Sequence, residues 1–206
     1  MVARDELTHR LFVAIELDEE RRDALVRCRE RLAGVLTSAP GGRERPVRWV
    51  ARELLHVTVR FLGTTPDAIV DRLRAALAPR FSSSTFQLCF DRLGVFPEHG
   101  RPRVVWAGPS AEPVGAAAVT RELDARLSAA GVAADARAFR PHVTLGRFRV
   151  PGPVACARAV RGVAIEAIPP MAVDCLTLFE SRLSSRGPTY VPLQHSALGP
   201  PIGAQP

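Results

Sequence analysis

His56-Val57-Thr58-Val59-Arg60-Phe61 and His142-Val143-Thr144-Leu145-Gly146-Arg147-Phe148 are near-copies of one short motif, 86 residues apart at the histidines. Each copy sits in an apolar, β-branched run that reads as a strand. Side chains alternate faces along a strand, so the His and Thr of each copy point the same way. A fold that brings the two strands together places two imidazoles and two hydroxyls around one cavity. That set holds a general acid, a general base and two hydrogen-bond donors, which suits phosphoester chemistry without a metal.

Composition narrows the rest. The 206 residues are enough for one large domain or two small lobes. No apolar run approaches the roughly 20 residues that cross a bilayer. The opening Met1-Val2-Ala3-Arg4-Asp5-Glu6 does not read as a secretory leader. A cytoplasmic protein that does not engage membranes is therefore expected. Cys28, Cys89, Cys156 and Cys175 are scattered, with neither metal-ligand spacing nor a disulfide framework. Cys89 and Cys175 lie in strand-like runs and are expected to be buried thiols.

The formal charge is +7, and all 28 basic residues are arginine. Arginine binds phosphate in planar, bidentate fashion and stacks on bases, and a positive field draws anions. Genomic base composition can produce the same total, so weight falls on arginines beside the motifs. Arg147, shortly after His142, is a candidate phosphate clamp. Arg60 is expected to be structural, and Arg43, Arg45 and Arg48 form a group that could steer a phosphate backbone.

Along the chain, residues 10–17 read as a central strand, and Asp18 caps a helix running to about Leu36. Val47 to Val50 and Leu54 to Leu62 follow as strands. Thr65 with Pro66 is expected to start a helix with Ile69, Leu73 and Leu77 on one face. Thr85 to Gly94 and Arg103 to Ala107 read as strands, and Pro113 to Ala130 as an Ala-rich helix stopped by Gly131. After the second motif strand come a short helix near Val154 to Val160 and strands at Ala172 to Glu180 and Tyr190 to Leu193. Residues 199–206 read as a flexible tail. Each motif strand follows a strand–helix unit, which implies an α+β fold of two similar halves, with antiparallel sheets facing a central groove and helices outside. Phe12 and Phe61 are expected in the core, and His9, His99 and His195 towards solvent.

With these motifs, Arg10-Leu11-Phe12-Val13-Ala14-Ile15, Gly94-Val95-Phe96-Pro97, Arg103-Val104-Val105-Trp106-Ala107-Gly108 and Glu180-Ser181-Arg182-Leu183 make the chain resemble the 2H phosphoesterase superfamily. Within it, the chain is similar to the RNA 2′,3′-cyclic phosphodiesterases, also called 2′-5′ RNA ligases. The resemblance spans about residues 10 to 193 and implies a single domain over residues 1–206, built of two lobes with pseudo-twofold symmetry. It implies an enzyme that hydrolyses RNA 2′,3′-cyclic phosphate ends to 2′-phosphates, with no cofactor. In this reading His142 is the base, His56 the acid, and Thr58, Thr144 and Arg147 hold the phosphate. The partner is an RNA or nucleotide carrying the cyclic phosphate, and the enzyme is expected to be a monomer. Two alternatives stay open: a 2′-5′ RNA ligase acting on tRNA halves, and a non-catalytic protein that binds RNA ends. A metallohydrolase fits poorly, because each motif brings one good ligand and no acidic cluster lies near.

Overall fold

The computed structural model describes residues 7–38, 46–133, 138–185 and 187–201. Ten strands and four helices follow one another along these residues. β1 is Thr8–Glu16, α1 Glu19–Ser38, β2 Val47–Trp49, β3 His56–Pro66 and α2 Asp67–Leu77. β4 is Phe86–Leu88, β5 Arg92–Phe96, β6 Val104–Gly108 and α3 Ala116–Ala129. β7 is Val143–Phe148, α4 Val154–Arg161, β8 Met171–Val173, β9 Cys175–Ser184 and β10 Gly187–Ala197.

The strands form two antiparallel halves. One is ordered β10-β9-β1-β3, the other β7-β6-β5, and β2 lies along β7. A single pair, Val57 against Val143, joins them. Past that pair β2 takes the edge of β7, matching Val47 to Phe148, Arg48 to Arg147 and Trp49 to Gly146. Gly146 permits this approach, because a Cβ there would stand 2.5 Å from Val47 and 2.7 Å from Trp49.

Alternation along β1 divides the molecule into layers. Leu11, Val13 and Ile15 enter the main core with Leu25 and Leu32 of α1 and Leu73 and Leu77 of α2. Phe12 and Ala14 point the other way and pack with Phe179 under Tyr190. The helices therefore cover one face of the strands, and the second, smaller aromatic cluster floors the other.

Asp18 caps α1 as expected, its Oδ1 accepting the Arg21 backbone N–H at 2.9 Å. Several local expectations are corrected. Thr65 does not cap α2: it is buried in β3, which runs on to Pro66 because Thr8 pairs opposite that proline. The strand expected over 85–94 divides into β4 and β5, and that over 172–180 into β8 and β9. Both divisions feed the same small sheet, in which Phe86 faces Val173. The expected tail begins too early, since Gly199 is held by backbone bonds to Ser83 at 2.8 Å and Thr85 at 3.1 Å. Residues 202–206 and the loop over 39–45, with Arg43 and Arg45, lie outside the described residues. Cys89 and Cys175 are only partly buried, while Cys28 and Cys156 are fully so.

Candidate active site

Val57 and Val143 are the middle residues of the two motifs, and both are fully buried. Antiparallel pairing at that point sets His56 opposite Thr144 and Thr58 opposite His142. One backbone pair thus collects all four motif side chains on the same side of the sheet. They line a groove of about 540 Å³ between the two halves of the molecule.

The two imidazoles are held in the same way. His56 Nδ1 donates to the Leu54 carbonyl at 2.7 Å, and His142 Nδ1 donates to the Arg140 carbonyl at 2.8 Å. In each case the acceptor lies two residues upstream. A ring fixed through Nδ1–H keeps Nε2 for the groove, where it can take or give a proton. His56 Nε2 lies 3.0 Å from the Thr58 hydroxyl.

Aromatic rings surround both histidines. His56 lies against Phe12 at 5.1 Å and meets Tyr190 edge-on at 5.1 Å. His142 meets Phe96 edge-on at 5.0 Å and Trp106 at 6.3 Å. This apolar setting disfavours the charged ring, so burial pushes both pKa values below the ordinary histidine value. The carbonyl acceptors pull them partly back up. His142 is lowered further by the Arg147 charge, and His56 by His142.

Arg147 reaches the groove through a β-bulge. It stands five residues after His142, so strict alternation would point it to the other face. Trp106 opposes Thr144 and Val105 opposes Gly146, which leaves Leu145 as an extra residue. The extra residue reverses the phase, and Arg147 joins the groove. β3 carries the same bulge at the matching place: Ala14 opposes Thr58 and Val13 opposes Arg60, with Val59 extra. Phe61 is therefore the counterpart of Arg147. It is 46% exposed in the groove beneath the Arg10 guanidinium, which corrects its expected place in the core.

Arg48 and Arg147 are paired across β2 and β7, an arrangement of like charges that normally costs stability. With Arg10 they supply three cations to the groove against the single carboxylate of Glu53. Such a field favours an anion in the groove. Arg60 is structural, as expected: it is buried and its Nε donates to Asp124 at 2.7 Å.

Arg10 and Tyr190 join the site without having been singled out from the sequence. Arg10 had a legible signal, standing two residues before Phe12 in an alternating strand. Tyr190 arrives through β10, whose pairing with β9 no local pattern announces. His9 departs from its expected exposure, bonding Glu180 at 2.8 Å and Asp67 at 2.9 Å. His195 and His99 are exposed, His195 bonding the Thr177 hydroxyl at 3.0 Å. Among the described residues, no three His, Cys, Asp or Glu side chains gather as a metal site. No helix among the described residues is long and apolar enough to cross a membrane.

Comparison with known proteins bears on the fold and the family. An RNA 2′,3′-cyclic phosphodiesterase of Archaeoglobus fulgidus is 31% identical over 188 residues, covering 90% of this chain and 98% of the relative. Its namesake in Escherichia coli is 31% identical over 195 residues, covering 92% and 96%. Escherichia coli LigT solved with 3′-AMP superposes with a TM-score of 0.71 at 27% identity, covering 93% of this chain and 99% of that one. A solved protein of Thermus thermophilus, TT0787, superposes with a TM-score of 0.69 at 27% identity, covering 91% and 97%. The family model described as the 2′-5′ RNA ligase superfamily matches residues 30–182. The chain belongs to the 2′-5′ RNA ligase superfamily.

Proposed function

We propose that this protein hydrolyses RNA or nucleotide 2′,3′-cyclic phosphates to 2′-phosphomonoesters, with His142 as general base and His56 as general acid. The observation that carries the reading is the Val57–Val143 pair, which sets two Nδ1-anchored imidazoles across one cationic groove. The names of the relatives support the same substrate.

His142 Nε2 takes a proton from water as the water oxygen attacks phosphorus. The P–O3′ bond breaks, and His56 gives its proton to the departing O3′. The P–O2′ bond is kept, so the product is a 2′-phosphate. Thr58 and Thr144 donate hydrogen bonds to the non-bridging oxygens as charge builds on them. Arg147, with Arg10 and Arg48, offsets the substrate charge. Every group comes from one chain, and the protein acts as a cytoplasmic monomer.

Incubation of the purified protein with an RNA ending in a 2′,3′-cyclic phosphate, in excess EDTA, tests this. A 2′-phosphate product is expected. A 3′-phosphate product, or no conversion by folded protein, would overturn the reading, and activity lost only to EDTA would bring back the metallohydrolase.

A further inference from the structure

The groove contains one carboxylate that no group of the chain engages. Glu53 belongs to a short 3₁₀ turn, Arg52–Leu54, immediately before β3. Arg52 pins this turn to α1, its Nε donating to Asp23 and its Nη2 to Glu19, each at 2.7 Å. On the other side the Leu54 carbonyl holds the His56 ring. Glu53 stands between these two anchors, exposed, on the wall of the groove. Among the described residues it forms no ion pair or hydrogen bond, although Arg10, Arg48 and Arg147 line the same space.

A carboxylate in a cationic groove opposes the binding of a phosphate. A part of the substrate that carries hydrogen-bond donors would offset that cost. The base of the terminal nucleotide is such a part, and a surface for it lies close by. Trp49 of β2 is partly buried and lines the same groove, three residues before the turn. Among the described residues no aromatic ring stacks on it. The other rings of the groove are engaged. Phe61 carries the Arg10 guanidinium 5.3 Å over its face, Phe12 is buried, and Tyr190 meets Phe12 and His56 edge-on.

We propose that Glu53 reads the terminal base and favours guanine, with Trp49 as the surface on which the base stacks. The inference rests on the phosphodiesterase reading above. The two oxygens of a carboxylate match two donors side by side, and guanine presents N1–H and N2–H in that way. Adenine and cytosine each show one amino group beside a ring acceptor, and uracil one N–H between two carbonyls. Those acceptors face the carboxylate and are repelled by it, so the same residue attracts one base and disfavours three. Stacking on Trp49 tolerates every base, and the choice among them falls to Glu53.

The test compares kcat/KM for four RNAs of one sequence that differ only in the base of the terminal 2′,3′-cyclic phosphate. Guanine should exceed each of the others about tenfold, the discrimination that one bidentate base contact gives. Hypoxanthine at that position, which lacks the 2-amino group, should fall between. Glu53→Gln should lower the guanine value about tenfold and raise the others, because a carboxylate no longer faces their ring acceptors. Trp49→Leu, shown to be folded by circular dichroism, should raise KM about tenfold for all four alike. Equal rates on all four bases, preference for another base, or a Glu53→Gln effect common to all four would overturn the base reading and leave the phosphodiesterase reading standing. An unchanged KM in folded Trp49→Leu would remove the base from this wall. Absence of hydrolysis of all four by folded wild-type protein would overturn both readings.

Discussion

Arg147 is the residue through which local backbone geometry most directly reaches the chemistry. The Leu145 bulge turns it into the groove, where its charge helps hold the His142 imidazole neutral. A base must be unprotonated to act, so the acid limb of the kcat/KM profile follows His142. Removing the charge lets the His142 pKa rise, and the proton is then lost only at higher pH. In Arg147→Gln the acid limb should move to higher pH, and KM should rise as the phosphate loses a cation. Rate profiles of the two proteins between about pH 4.5 and 8 would check both effects. An unmoved limb would place Arg147 outside the electrostatics of His142. The sequence carried the His and Thr pairs openly, because period-two alternation is a local property. It also placed Arg147 near the site, but its facing depends on an extra residue that only the partner strand defines. Phe61 was misjudged for the same reason, since its bulge lies at the matching place.

At the scale of elements, two charged clusters hold the strands that carry the site. Arg60 ties β3 to α3 through Asp124. Removing the Asp124 carboxylate takes charge-assisted hydrogen bonds from the buried guanidinium, so Asp124→Ala should cost about 2 kcal/mol in denaturant unfolding. A cost near zero would make the pair incidental. His9 joins β1 to Glu180 of β9 and to Asp67 at the start of α2. The Glu180 hydrogen bond raises the His9 pKa above its ordinary value, and His9 in turn lowers that of Glu180. The His9 contribution is complete below the unfolded histidine pKa and fades as pH rises through the raised one. The Glu180 contribution is present above its unfolded pKa and fades as pH falls through the lowered one. His9→Ala should therefore destabilise more at about pH 6 than at pH 9, as thermal unfolding at the two values would read. Equal losses at both would contradict the linkage. Arg60 was expected to be structural, but the partners in neither cluster were legible beforehand, because each joins residues far apart in the chain.

The whole molecule is two half-sheets meeting at one residue pair, and most of this plan could be read from the strand–helix order on either side of each motif. The small β4–β8 sheet and the late end of β10 could not, because both arise from pairings between distant segments that carry no local mark. Symmetry brings the histidines face to face, and its breaking gives them different neighbours: Tyr190 behind one, an open hollow behind the other. Opposed roles for two similar imidazoles are the central claim. A cyclic phosphate whose 3′ bridging oxygen is replaced by sulfur tests it most directly, since a thiolate leaves without needing a proton. His56→Ala should be nearly inactive on the oxygen substrate and recover most of the wild-type rate on the sulfur substrate. His142→Ala should fail on both. Rescue of His142→Ala in place of His56→Ala, or of neither, would contradict the assignment.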